Sequence, residues 1–440
     1  MKLNTIFLTF LIYLFSLSSC SFKKQIIDYN QEGAITGNNT VISLKKNKIF
    51  NDNIKTVLCH KKNKKNSIPI INLNSKDKLT IKFDALETIK QDYYYTITLC
   101  NENWTKNNLN KNEYLYGFIN NQITDYEFSF NTKQEYIHYQ FEFPSNDTYP
   151  KVSGNYIFEI YNENNELAFT ERFMVLDTKV LVEAKVRRAT LSKFKNTKHE
   201  IDITVKHNDI DINNPFSDVI IHIKQNNHDI NSITNLKPLF IKNNELIYDF
   251  EEENLFWGNN EYRYFDIRSL RFLSEEINNI ELVNNRYEVN LKNDYKRTFE
   301  DYSIVPDING DFIIEVQEGW DSSVESDYAK VKFSLSLDKL GLGDLYLVGA
   351  FSDWEISEKF KLTYNPKKNK YEQSIILKQG FYNYQYALYD STNNTINLNY
   401  IEGSHYETKN EYYIYVYLKD YVNGYDRLIG FSSKDSNDLF

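Results

Sequence analysis

Residues with the capacity for chemistry are scattered along this chain, and their spacing matches no reactive constellation. Of the seven His, His199, His207, His222 and His228 fall in the middle third. Two of them could meet in space to hold a metal, yet solvated imidazoles are the commoner use of such residues. Asp209-Ile210-Asp211-Ile212-Asn213 starts like a calcium loop, which needs Gly at its sixth position and Glu at its twelfth. Asn214 and Ile220 stand there instead. The nucleophile elbow, the zinc-protease helix, the phosphate-binding loop and the dinucleotide fingerprint are all missing. Among 61 acidic residues, no carboxylate pair stands out for glycosidase chemistry. The expectation is a protein without catalytic residues, metal, cofactor or small-molecule substrate: not an enzyme.

Cysteine chemistry is the exception. Met1-Lys2, the apolar run Ile6 to Phe15 and Leu17-Ser18-Ser19-Cys20 have the layout of an export signal. The apolar run is too short to span a bilayer, which takes about 20 residues. The tetrad ending at Cys20 resembles the lipobox of bacterial lipoproteins. That implies a signal peptide over 1–19, lipidation of Cys20 and a linker over 20–38. Acyl chains contribute about 0.8 kcal/mol per buried methylene, so several of them anchor stably. The residues after Cys20, Ser21-Phe22-Lys23-Lys24-Gln25, lack an acidic run, and the body is expected to face the periplasm. An exported compartment permits a disulfide between Cys59 and Cys100; two unpaired thiols is the alternative reading.

What must position these residues is a set of strands. Aromatic residues make up 15% of the chain, with 35 Tyr and 29 Phe, types that pack well on a pleated, half-buried surface. Hydrophobic residues reach 41%, too many for a disordered chain. Net charge is −10 with both signs interleaved, and the one basic run, Lys61-Lys62-Asn63-Lys64-Lys65, sits between apolar segments as a solvated turn, so nucleic acid is not an expected partner. Abundant Asn is read as compositional bias put to use in turns. Period-two alternation recurs: Tyr93, Tyr95, Ile97 and Leu99; Tyr156, Phe158 and Ile160; Ile201, Ile203 and Val205; Val219, Ile221 and Ile223; Val331, Phe333 and Leu335; Tyr382, Tyr384 and Tyr386; Tyr413, Tyr415 and Tyr417. The pattern predicts an all-β protein of tandem immunoglobulin-like or early-set β-sandwiches over 39–178, 179–310 and 311–440.

Three stretches carry a family resemblance. The first is Tyr93 to Trp104, continued by Glu113-Tyr114-Leu115-Tyr116-Gly117, Ser129-Phe130-Asn131-Thr132, Ser153-Gly154-Asn155-Tyr156 and Arg172-Phe173-Met174-Val175. The second is Asn260-Glu261-Tyr262-Arg263-Tyr264-Phe265-Asp266-Ile267-Arg268-Ser269. The third is Gly380-Phe381-Tyr382-Asn383-Tyr384-Gln385-Tyr386 with Ile401-Glu402-Gly403-Ser404-His405 and Thr408-Lys409-Asn410-Glu411-Tyr412. Together they resemble the plug protein of the Bacteroidetes type IX secretion system, from about residue 40 to 430. The resemblance implies an outer-membrane lipoprotein that closes the periplasmic mouth of a giant translocon barrel. Sealing needs complementary surface, not reactive groups.

Val348-Gly349-Ala350-Phe351-Ser352-Asp353-Trp354 and the Tyr382–Tyr386 strand are also similar to the early-set fold of glycogen- and starch-binding modules. That likeness implies Trp354 and Asn410 as remnants of a sugar site and a carbohydrate-binding lipoprotein as the alternative function. Gln385 stands where those modules carry Lys, and the turn Thr392-Asn393-Asn394-Thr395 lacks their second Trp. Trp257, Arg263, Asp266 and Arg268 form a further cluster with two readings, a docking surface for the barrel or a structural ion pair.

Overall fold

Alternating segments become strands throughout the computed structural model, which describes residues 47–436 apart from 342, together with the short strands Ala34–Ile35 and Val41–Ile42. Those two strands pair antiparallel in an N-terminal unit, Met1–Ser43, and everything else below concerns the second unit, Leu44–Phe440. The expected signal peptide over 1–19 and Cys20 lie outside the described residues. Among the described residues, helix is limited to single turns such as Lys111–Tyr114, Pro215–Asp218 and Asn399–Glu402. No helix among them is long and apolar enough to cross a membrane. The protein is mostly β, built from several sheets that are largely antiparallel.

The first pair of sheets shows how periodicity produces the core. One sheet runs in the order Lys48–Ile49, Leu167–Leu176, Gly154–Asn162, Tyr93–Cys100, Asn121–Ile123; the other in the order Asp125–Phe128, Ile137–Phe143, Leu79–Ala85, Ile54–Lys61. Tyr93, Tyr95, Ile97 and Leu99 share one strand face and are all buried against the facing sheet. There Phe83, Tyr93 and Tyr139 meet with ring centroids 5.0–5.2 Å apart, within the range where aromatic pairs add about 0.5–1.5 kcal/mol beyond burial. The hairpin of Gly154–Asn162 and Leu167–Leu176 turns through Asn165 at φ 59°, a left-handed position that Asn tolerates.

The other two sheet pairs do not follow contiguous blocks of sequence. Leu181–Arg188, Lys198–Lys206, Glu245–Tyr248 and Phe240–Lys242 form one sheet of the second pair; its facing sheet is His228–Thr234, Val219–Gln225, Glu411–Asp420 and Tyr425–Asp435. The C-terminal hairpin thus crosses back: Tyr412, Ile414, Val416 and Leu418 join Val219, Ile221 and Ile223 in one core. Conversely, Arg263–Asp266, Ile277–Val283 and Arg286–Leu291 leave the middle block and pair with Gly380–Asp390 and Tyr328–Ser336 in the third pair. A division at 310 would therefore cut hydrogen-bonded sheets. Alternation is a local signal that says which face is apolar, not which strand covers it.

Close approach locks the three pairs together. Gly154 sits at φ 142°, and a Cβ there would come within 3.1 Å of the Asp426 carbonyl oxygen, so the first pair can meet the C-terminal hairpin only at glycine. Beside it, Tyr417 Oη donates to Asn155 Oδ1 at 2.9 Å. Between the first and third pairs, Asp84 accepts from Tyr328 Oη and Lys378 Nζ, both at 2.6 Å, and faces His138 Nδ1 at 2.6 Å. Burial opposes the charge of Asp84, but Lys378 and then His138 outweigh it and hold the carboxyl below its ordinary range.

Candidate functional site

The residues expected to dock a partner separate by environment. Arg263, on the strand Arg263–Asp266, is an interior group: Nη1 lies 2.7 Å from Asp294 Oδ1 and Nη2 lies 3.0 Å from Glu402 Oε2, which Arg297 also grips at 2.7 Å. Tyr384 and Tyr386 donate to the second oxygen of Asp294. Every oxygen of this network is used inside the protein, so the ion-pair reading replaces docking for Arg263. Asp266 and Arg268 pair at 2.6 Å, with Glu315 on the outer nitrogen, and remain partly exposed. Trp257 is exposed on another sheet, its ring beneath Lys198 at 4.3 Å, and does not join them.

Neither expected sugar contact offers a platform. Trp354 is buried at φ 56°, with His228 4.2 Å from its ring and Tyr262 5.8 Å away. Gly310 also presses on it, where a Cβ would fall 2.5 Å from the indole. Asn410 accepts from Asn226 and donates to the Gly258 carbonyl, both at 2.8 Å. Stacking on a sugar needs an open ring face, and that face is covered here.

The histidines do not converge. His199 binds Tyr412 and Tyr406, His222 faces Glu102 at 2.9 Å, and His207 binds the Ile210 carbonyl. Among the described residues one acidic group, Glu200, Asp202 and Asp249, has metal-like spacing, but the Arg187 guanidinium fills it at 2.6–2.9 Å. Cys59 and Cys100 are free thiols on different sheets, so the disulfide reading gives way to the unpaired one. Burial pushes Cys59 well up and Cys100 to about 12, which leaves neither as a reactive thiolate.

Two features escaped the reading of the sequence. The first is a surface. The stretch from Tyr116 to Tyr149 exposes Tyr116, Phe118, Ile119, Tyr126, Phe128, Phe130 and Tyr149, with Tyr116 stacked on Tyr149 at 4.6 Å. The backbone of Phe130 bonds to Val324 at 2.9 Å, beside the loop that carries the fully exposed Trp320. Soluble monomers seldom display apolar surface so densely unless a partner covers it. Exposure is invisible in a sequence where aromatics are everywhere.

The second is a cavity of about 380 Å³ where all three sheet pairs meet. Nearly every non-glycine residue at positive φ is Asn; the exceptions are Thr56, Trp104, Asp353 and Trp354, and all four line this cavity. Left-handed backbone at bulky or β-branched residues costs on the order of 1–3 kcal/mol each and persists only where the surroundings enforce it. The lining comes from segments between Asn47 and Ile396, a separation no motif search joins.

Comparison with known proteins bears on the chain as a whole. Residues 54–177, the first sheet pair, match the family model described as the type 9 secretion system plug protein 1st domain. A crystal structure of a hypothetical protein from Parabacteroides merdae is similar at a TM-score of 0.87 and 32% identity, covering 89% of this chain and 99% of that one. No curated protein matches.

Proposed function

Because this chain belongs to the type 9 secretion system plug protein family, we propose that it occludes the periplasmic mouth of the outer-membrane translocon barrel of that system. In this reading residues 1–19 are removed on export, acylated Cys20 tethers the body to the outer membrane, and three immunoglobulin-like β-sandwiches present the sealing surface. The tether keeps the plug at high effective concentration near the pore. The observation that carries the reading is the match of residues 54–177 to the family's first domain; the exposed aromatic surface of that same region supplies the means. A specific seal would bury about 1,200–2,000 Å². Trp257 and the Asp266–Arg268 pair stay as further candidate contacts, and no catalytic role is assigned. The carbohydrate alternative finds no support in a Trp354 ring closed by His228.

Deleting the gene should make the outer membrane leaky to bulky hydrophilic antibiotics, and affinity purification of the native lipoprotein should recover a very large barrel. Cys20→Ser should abolish palmitate labelling and reduce that recovery. Unchanged permeability together with purification of the chain alone would overturn the proposal.

A further inference from the structure

The cavity at the three-way junction has an unbalanced end. Around Trp104 and Trp354, three carboxyls line it: Glu171, Asp229 and Asp353. Two cations line the same end, and both reach Asp229: Arg172 Nη1 and Lys224 Nζ lie 3.1 and 2.7 Å from its two oxygens. Glu171 receives a hydrogen bond from Asn47 Nδ2 at 3.0 Å, and no Lys or Arg among the described residues lies within ion-pair distance of Glu171 or Asp353. The buried lysine of the wall, Lys378, is bound to Asp84, and Lys65 and Lys82 also line the cavity.

Asp353 keeps accessible surface and lines this cavity, while the surrounding segments crowd it closely enough to withhold bulk water. A second observation is independent of the acids. His228 is almost fully buried in the cavity wall beside Asp229, and beyond a loose contact with the Ile230 backbone neither ring nitrogen makes a well-formed hydrogen bond. Buried polar atoms without partners are uncommon in native proteins and point to a missing ligand group or ordered water. The strained backbone at Trp104, Asp353 and Trp354 fixes these groups in place.

We propose that this end of the cavity binds an organic ammonium ion, a primary alkylamine or short diamine, with Asp353 and Glu171 receiving the charged nitrogen and the apolar wall, Ile230, Ile396 and Met174, enclosing the alkyl chain. The end carries three carboxyls against two cations, and an ammonium ion there would draw Glu171, whose burial favours the protonated form, into its ionised state. The volume falls in the range of small-molecule sites, about 300–1,000 Å³, and an enclosed, partly apolar wall strengthens each charge contact relative to water. Burial first, and then the charge of Glu355, push Asp353 up to about 6 in spite of Arg172 and Lys359, so its carboxylate gains from a cation placed in direct contact. The inference is independent of the plug reading, since a bound amine could stabilise the three-body junction whatever partner the surface meets.

Isothermal titration calorimetry on the mature chain near neutral pH tests it with 1,4-diaminobutane, 1,4-butanediol, maltose and calcium chloride. The diamine should bind and the isosteric diol should not. Asp353→Asn should weaken the diamine at least tenfold. Because Asn is the residue this protein uses at nearly all its left-handed positions, that substitution keeps the backbone. Should the variant nevertheless fail to fold, Glu171→Gln is held to the same threshold. Absence of diamine binding, equal affinity for the diol, undiminished affinity in the carboxylate variants, or binding of maltose or calcium in place of the amine would each overturn the proposal.

Discussion

At the scale of single residues, the histidine dismissed as a metal ligand proves informative about stability. His199 is fully buried; its Nε2 donates to the Tyr406 carbonyl at 2.6 Å, and its Nδ1 accepts from Tyr412 Oη at 2.7 Å. The neutral ring is therefore satisfied on both sides, and burial pushes its pKa down to about 4. An unfolded histidine titrates near 6.5. Between these values the unfolded chain binds the proton and the folded chain does not, so stability is full above pH 6.5 and falls as the pH drops toward 4. Asp202 and Glu261, pushed up to about 7 chiefly by burial, act in the opposite sense, so the readout must be a difference. In urea titrations, the change in stability between pH 7.5 and 5.0 should be less unfavourable in His199→Gln than in wild type by roughly 2 kcal/mol. Identical pH dependence would remove His199 from the account. Residue identity was legible in the sequence here, and environment was not: His199 and His222 lie on alternating strands of like pattern, yet one meets a carbonyl and a phenol and the other Glu102.

At the scale of elements, faces could be read and partners could not. The rows Ile201, Ile203, Val205 and Val331, Phe333, Leu335 are fully buried, as period-two alternation requires. In Glu411–Asp420 alternation singles out Tyr413, Tyr415 and Tyr417, whereas the row that enters the core is Tyr412, Ile414 and Val416, and its partner is Val219–Gln225, almost two hundred positions earlier. Nothing in either segment encodes that pairing, because any apolar face of matching width would serve. The consequence is physical: residues 179–310 lack the hairpin Glu411–Asp420 and Tyr425–Asp435 that covers Val219, Ile221 and Ile223. Losing several fully buried aliphatic contacts costs on the order of 1.5–3 kcal/mol per side chain, comparable in sum with the whole stability of a domain. A fragment of residues 179–310 should show no cooperative thermal transition by circular dichroism, and joining residues 411–436 to it should restore one in part. A sharp transition from the shorter fragment alone would mean the crossover is dispensable. The same interleaving explains why the candidate cavity was hidden: its walls exist only after all three sheet pairs have closed.

At the scale of the molecule, a seal and a core make opposite demands on aromatic residues. Inside the first sheet pair Tyr and Phe are consumed by packing, as with Phe158 and Phe173 at 4.3 Å. Outside it, Phe118 and Phe128 contribute little to the fold, because more than half of each remains in water. Removing them should therefore spare stability; surface substitutions away from caps and networks usually stay within about 0.5 kcal/mol. Their value would appear only on contact. Interfaces concentrate their energy in a few large anchors, each worth about 2 kcal/mol or more when truncated, and 2.8 kcal/mol is about a hundredfold in affinity. The double variant Phe118→Ser with Phe128→Ser should melt within a few degrees of wild type yet recover several-fold less barrel from detergent-solubilised membranes, and cells carrying it should admit bulky antibiotics. A matched control, Phe272→Ser with Leu273→Ser, alters an equally exposed apolar pair on the third sheet pair. If the control lowers recovery while the Phe118 and Phe128 variant does not, the sealing face belongs to the third sheet pair and not to the first. If neither changes recovery, exposed apolar surface is not what holds the plug.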